Sequence, residues 1–399
     1  FRVDGSFTEP FETGGESRRI SGLFGNTSDK GKFIAAVEYR QQDELNFEDR
    51  DFQRDANGLA CSMDIELDVD GNELRQCDGA IGSLEFRSAT SPFGDGPETG
   101  FAAPGSGFFN VTNTSARPFL SIDLEGKDNF FNDQEALTAY VAADREVELV
   151  GSEPTNLFFE TSFSNVQTNV RNGFHGQLFP SVAPSNPTSP FGFTSVPVVF
   201  SPIKRSDIDV DVIQYRMTAG LEGAVSFAPD WSYETYASYS RSIGDSVRPV
   251  VLEDRLIESL ATTVQNMDGT LSCGVNNVDL FGFLTPATCV PVNLFAPSLY
   301  DSRNPQFATQ LEHDFLSGER SVTTKVDQVV LSGFFTGPLF TLPGGEAQVV
   351  IGGEWREDGL DSGTDTIAST GGAAGFFADR RSVGTVSQFE AFAELSLPL

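Results

Sequence analysis

The stretch TGPLFTLPGGEAQVVIGGEWRED, from Thr336 to Asp358, decides how the rest of the chain is read. After Leu342-Pro343-Gly344-Gly345 the residues alternate. Ala347, Val349, Ile351, Gly353 and Trp355 fall on one side, and Gln348, Val350, Gly352, Glu354 and Arg356 on the other. A period of two is the signature of a strand with one apolar face. Pro fixes φ and Gly supplies positive φ, so the four residues before it predict a tight turn.

Working outward, the same alternation recurs. In KFIAAVEYRQ, Phe33, Ala35, Val37 and Tyr39 oppose Glu38 and Arg40. In WSYETYASYSRS, Tyr233, Ala237 and Tyr239 oppose Glu234 and Ser238. In SQFEAFAELSLPL, Phe389, Ala391, Ala393, Leu395 and Leu397 oppose Gln388, Glu390, Phe392, Glu394 and Ser396. The run DIDVDVIQYRMTAGLEG switches phase near Val212-Ile213, as at a bulge. Residues 2–9, 17–25, 156–168 and 322–336 are further strands, and the chain carries about nine strong ones. Their lengths sit nearer the roughly 9–11 residues of spanning strands than the 5–6 of ordinary ones. A sandwich core facing water gives this alternation, and so does a barrel with lipid outside and a wet lumen.

Connections fall into two kinds. Pro229-Asp230 and Leu342–Gly345 predict short turns, whereas residues 43–150, 169–205 and 243–320 are expected as long loops. Short turns on one rim and long loops on the other is the outer-membrane arrangement. Within the third loop, VLEDRLIESLATTV places Leu252, Leu256, Ile257, Leu260 and Val264 at helical spacing, which predicts a short helix packed on other loop residues.

The 399 residues carry 57 Asp plus Glu against 26 Lys plus Arg, a formal charge of −31. That excess argues against nucleic acid, where phosphate neutralisation needs clustered Lys and Arg. No run of about 18 apolar residues exists, so no transmembrane helix is expected. Nor is a signal peptide legible, since Phe1 opens directly into FRVDGSFTEPFE, and the chain reads as a processed chain or a fragment.

The four cysteines are Cys61, Cys77, Cys273 and Cys289. No CxxC occurs, and His175 and His313 lie far from them in sequence, so zinc is not expected. Two disulfides in an oxidising compartment are the preferred reading over four buried thiols. Four cysteines allow three connectivities, and locality favours Cys61–Cys77 with Cys273–Cys289.

The first pair brackets CSMDIELDVDGNELRQC. A calcium loop starting at Glu66 has Asp68, Asp70 and Gly71 in place, but Cys77 stands where a bidentate Glu belongs. A hairpin fits better: Ile65, Leu67 and Val69 alternate, Asp70-Gly71 is a favoured turn, and the return runs through Leu74. GSGFF at 105–109 lacks the Lys-Ser/Thr of a phosphate loop, and no GxSxG elbow occurs. Acidic pairs such as Asp361 with Asp365 are inevitable among 57 carboxylates. No catalytic, cofactor-binding or metal site is therefore assigned, and the protein is not expected to be an enzyme.

As a set, FIAAVEYRQQDELNFEDRDF, FPSVAPSNPTSPFG, GLEGAVSFAPDWSYETYASYSR, CVPVNLFAPS, LSGFFTGPLFTLPGGEAQVVIGGEWRED and FEAFAELSLPL resemble the barrel of a TonB-dependent outer-membrane receptor of the alphaproteobacterial and marine type. The resemblance implies an all-β fold, an antiparallel transmembrane β-barrel in the outer membrane with long extracellular loops. Family barrels have about 22 strands around a plug. No plug and no final aromatic strand are legible here, so residues 1–399 are expected to be an incomplete barrel fragment. Trp355, where relatives often carry Tyr, is expected near a strand end in an aromatic girdle.

The resemblance further implies energised uptake of a scarce nutrient, a siderophore or carbohydrate, with membrane lipid, a TonB-type partner and a small-molecule or oligosaccharide ligand as partners. Aromatic residues of the long loops are candidates to stack on it; Phe281, Phe283 and Phe295 are examples of Phe expected in loops, and no ligand-binding residue is assigned. The alternative is a secreted or surface-displayed β-rich binding or adhesion protein, in which Phe33, Val37 and Tyr39 pack on a second sheet.

Overall fold

The computed structural model describes residues 1–46, 49–50, 129–148, 154–171, 178, 180–189, 207–273, 289–300 and 306–398, with short strand pieces between them. Ten strands form one antiparallel sheet in chain order. They are β1 (Arg2–Thr8), β2 (Ser17–Ser28), β3 (Gly31–Gln42), β4 (Asp133–Val147), β5 (Thr155–Val170), β6 (Ile208–Val225), β7 (Ala228–Val251), β8 (Ser317–Leu342), β9 (Gly345–Thr364) and β10 (Ser382–Ser396). Every strand pairs only with its neighbours in sequence. The sheet is not closed, since β1 and β10 are its two outer strands and do not pair with each other.

The ladder carries the period-two pattern from strand to strand. Directly paired residues point to the same side. From β3 to β5, Val37 pairs with Ala139 and Ala139 with Phe163. From β6 to β8, Ala219 pairs with Ala237 and Ala237 with Leu331. Leu331 then pairs with Trp355, and Trp355 with Phe389. One face of all ten strands is thus a continuous apolar band. It runs from Val3 and Phe7 through Ile20, Phe24, Leu137, Phe159, Met217 and Phe335 to Ile351, Ala393 and Leu395. Along β9 the band extends from Val349 to Trp355, roughly 20 Å of strand at about 3.3 Å per residue. Val349 is buried, but most of these side chains are uncovered: Val37 is 50% exposed and Ile351 51%.

The opposite face is polar. It carries Arg19, Glu38, Thr138, Ser162, Arg216, Ser238, Gln328, Glu354 and Glu390. Aromatic rings on this face sit over glycine: a Cβ at Gly352 would overlap the Phe392 ring and lie 2.7 Å from Phe334 Cβ. The row Phe334–Gly352–Phe392 packs only because the middle position has no side chain.

Connections alternate in length. Asp29-Lys30, Ser226-Phe227 and Pro343-Gly344 are two-residue turns, and 148–154 links β4 to β5. The links 9–16, 43–132, 171–207, 252–316 and 365–381 are longer, and in an up-and-down sheet they all fall on the other rim.

Four expectations need correcting. The stretch 43–150, read as a loop, contains the full strand β4, and 243–320 loses its ends to β7 and β8. The β6–β7 turn is Ser226-Phe227, while Pro229-Asp230 lie inside β7 beyond a register shift at Ala224/Val225. No bulge occurs at Val212-Ile213, because β6 stays in register with both neighbours there. Trp355 is midway along a 20-residue strand; it marks the end of the apolar band, not of the strand.

Candidate functional site

Two regions can meet a ligand: the polar face of the sheet and the rim built from the long loops. The polar face is the more enclosed one, with Ser238 and Ser332 buried. One cavity of about 750 Å³ is lined by Arg2 and Asp4 of β1, Arg19 of β2, Glu38 of β3, Tyr140 of β4 and Arg216 of β6. A second, of about 660 Å³, is lined by Lys30, Lys32, Asp144, Asn156, Glu222 and Glu234 nearer the short turns.

Polar side chains on this wall are tied across strands. Arg19 Nη2 meets Glu38 Oε2 at 2.6 Å. Asn156 donates to Glu222 at 2.8 Å and Gln328 to Asp358 at 2.8 Å. The hydroxyl of Thr218 and Nε of Arg216 both donate to Ser238 Oγ, at 3.0 and 3.2 Å. This is a charge-mixed, polar surface. Among the described residues no group of three or more His, Cys, Asp or Glu could hold a metal ion.

On the apolar side the long-loop edge of the band has its own chemistry. The Tyr215 and Tyr239 rings lie 6.1 Å apart, and the Tyr239 hydroxyl donates to Asp327 at 2.8 Å. Asp327 also pairs with Arg241 at 3.3 Å. Aromatics at the band edge followed by charges one step outward suit an apolar–aqueous boundary.

The rim holds the only extensive apolar core among the described residues. Helix α1 (Glu253–Thr262) buries Leu256 and Leu260; Glu253 and Asp254 in its first turn complement the helix dipole. Helix α2 (Gln310–Leu316) is capped by Thr309, whose hydroxyl accepts from Glu312 N at 3.1 Å. Helix α3 (Thr366–Thr370) starts at Asp365 and ends at Gly371, which has φ of 76°. The first two helices pack, through Leu256, Leu260 and Leu316, with Leu178, Val182, Val251, Val292, Leu294, Phe295, Leu299 and Ala374.

Polar ties lock this cap together. Ser259 Oγ donates to Val290 O and accepts from Val292 N, both at 2.9 Å. Buried Asn186 donates to Leu260 O at 2.9 Å, joining the β5–β6 loop to α1. Leu252 N donates to Leu316 O, and Ala374 N to Val251 O, each at 2.8 Å. The Cys273–Cys289 disulfide, with S–S of 2.04 Å, closes part of the β7–β8 loop as expected.

Glu312 is the one charged group sunk into this core, at 6% exposure, and its Oε2 has no hydrogen-bond partner. Burial pushes its carboxyl pKa up, against hydrogen bonds from the Asn293 and Ala308 backbone and from Thr309 that pull it down. On the exposed face of α2, the Asp314 carboxyl is held low by hydrogen bonds from His313 and Gln310.

The helix expected in the third loop is α1, packed on other loops. Ile257 faces outward and Val264 lies beyond its end. Phe295 is buried in the cap and is not available to stack on a ligand. Phe281, Phe283, His175, Cys61 and Cys77 lie outside the described residues. Between those two cysteines, Glu66-Leu67 pairs antiparallel with Glu73-Leu74, which is the hairpin; Leu67 opposite Glu73 leaves 68–72 between the strands, more than a two-residue turn. Sequence reasoning missed Glu312, Arg320 and Asp379, because each meets its partners only when separate loops converge on the rim. No protein-family model matches the chain, and no curated protein matches it.

Proposed function

We propose that this chain is wall and outer rim of a transmembrane β-barrel, part of an outer-membrane receptor that takes up a scarce nutrient with energy from a TonB-type partner. One observation carries the proposal: an apolar band crosses all ten strands and the described residues leave most of its side chains exposed. In water a contiguous exposed apolar surface of this kind invites aggregation; in a bilayer it is the required exterior. In this reading the polar face lines a lumen, and the packed loops form a ligand-facing rim. No helix among the described residues is long and apolar enough to cross a membrane, which leaves the strands as the crossing elements under this reading. A bilayer admits no open sheet edge, so β1 and β10 must be paired in the functional molecule.

The ligand class, siderophore or carbohydrate, and the energised step rest on the family resemblance alone. The test is accessibility of single cysteines introduced by Val37→Cys and Ile351→Cys in protein reconstituted into vesicles. Lipid-phase reagents should label both while water-soluble maleimides do not. Labelling from water only, or from neither phase, would favour the secreted binding or adhesion protein, in which a second layer covers these side chains.

A further inference from the structure

We propose that Arg248 and Arg320 form an oxyanion site, open to the polar side of the sheet, for a small molecule bearing a carboxylate or phosphate. The two are directly paired across β7 and β8, so their guanidinium groups project side by side on the polar face. Like charges placed opposite each other on neighbouring strands repel. The fold holds them together with one ring and one acid. The Cζ atoms of Arg248 and Arg320 lie 5.2 and 5.4 Å from the centroid of the Phe376 ring, contributed by the β9–β10 loop. Asp379 from the same loop takes Arg320 Nη2 at 2.9 Å.

That leaves two cations against one carboxylate. Arg248 has no acidic partner among the described residues, and Arg320 Nε, on a side chain only 16% exposed, donates to nothing. Acids outnumber bases 57 to 26 in this chain, so an arginine without a carboxylate is the less expected arrangement. Glu319, the nearest acid in sequence, pairs opposite Pro249 and therefore points to the other face. Guanidinium forks suit planar or tetrahedral oxyanions, and partial burial strengthens each contact. The pair lies on the face opposite the apolar band, so a free small molecule, not a lipid headgroup, is the expected occupant. The site would serve a soluble binding protein equally well, so it goes beyond the receptor reading and does not stand or fall with it.

The test is isothermal titration of the full-length protein in detergent micelles with inorganic phosphate, at fixed ionic strength in chloride. Saturable binding is expected, weakened roughly tenfold or more by Arg248→Gln, as for loss of a hydrogen bond to a charged group. Arg380→Gln removes the same charge from the exposed loop nearby and should leave the affinity within about twofold. If Arg248→Gln fails to fold, Arg248→Lys, which keeps the charge and loses the fork, should weaken binding while Arg380→Gln does not. No binding to the unaltered protein, or equal loss in the Arg248 and Arg380 variants, would overturn the proposal.

Discussion

The sheet and the loop cap are stabilised in opposite ways. In the sheet, long ladders satisfy the backbone, while the apolar side chains of Val37, Leu331, Ile351 and Phe389 stay uncovered. In the cap, backbone regularity is slight, yet Val182, Val292, Leu294, Leu299 and Leu316 are almost completely buried. A soluble β protein would have these assignments reversed, with its core between sheets and its loops wet. The difference teaches that the cap carries its own apolar core, while the sheet leaves one apolar face that nothing among the described residues fully covers.

Three changes break or sharpen that contrast. The largest effect is expected from Leu294→Ala, at a fully buried cap position. Cavity formation should cost about 2–5 kcal/mol of cap stability. Hydrogen exchange would then show faster amides in α1 and α2 and unchanged ones in β2–β6; equal acceleration in both would mean that cap and sheet unfold as one unit.

Ile351→Arg comes next. Lipid contact would make this charge cost about 2–4 kcal/mol near mid-bilayer, and yield of folded protein in vesicles should fall. Glu354→Arg, on the polar face of the same strand, should stay within roughly 0.5 kcal/mol. Equal yields for the two would remove the distinction between the faces.

The smallest effect is expected at Glu312. Its folded pKa lies above the ordinary 4.5, so between the two values the folded cap binds the proton more tightly than the unfolded chain does. Cap stability is then highest at pH below 4.5, falls as pH rises through that window, and stays reduced above it. Glu312→Gln should flatten this dependence and make the cap more stable at neutral pH, read as slower exchange of the amides of α2. A variant whose pH profile matches the parent would show that the buried carboxyl carries no such load.

Much of the sheet was legible because one apolar face leaves an alternating record in the sequence. Strand β4 escaped because DQEALTAYVAADREV is rich in good helix formers and places Ala on both faces: Ala139 and Ala143 toward the band, Ala136 and Ala142 away from it. Its neighbours β3 and β5 decide its conformation. The Ser226-Phe227 turn has no Gly or Pro to announce it, and Pro229 drew attention two residues too far along. Near Val212-Ile213 the strand has run past the apolar band, so the pattern fades without any break in pairing. In the cap, helical spacing revealed α1, but nothing local could reveal that Asn186, Ser259 and Val290 would be linked. Those contacts are set by which loops the sheet delivers to one rim.

Because each strand is registered only on the strands beside it in sequence, the two rims differ in the freedom they leave to evolution. Adding one residue to Pro343-Gly344 while keeping the β8 side fixed would slide β9 by a single position, turning Val349, Ile351 and Trp355 toward the polar side. The same addition in the segment between β3 and β4 leaves both strands where they are, since loop closure costs little more for one extra residue. One rim therefore fixes the grammar of the wall, and the other is where new vocabulary can be written.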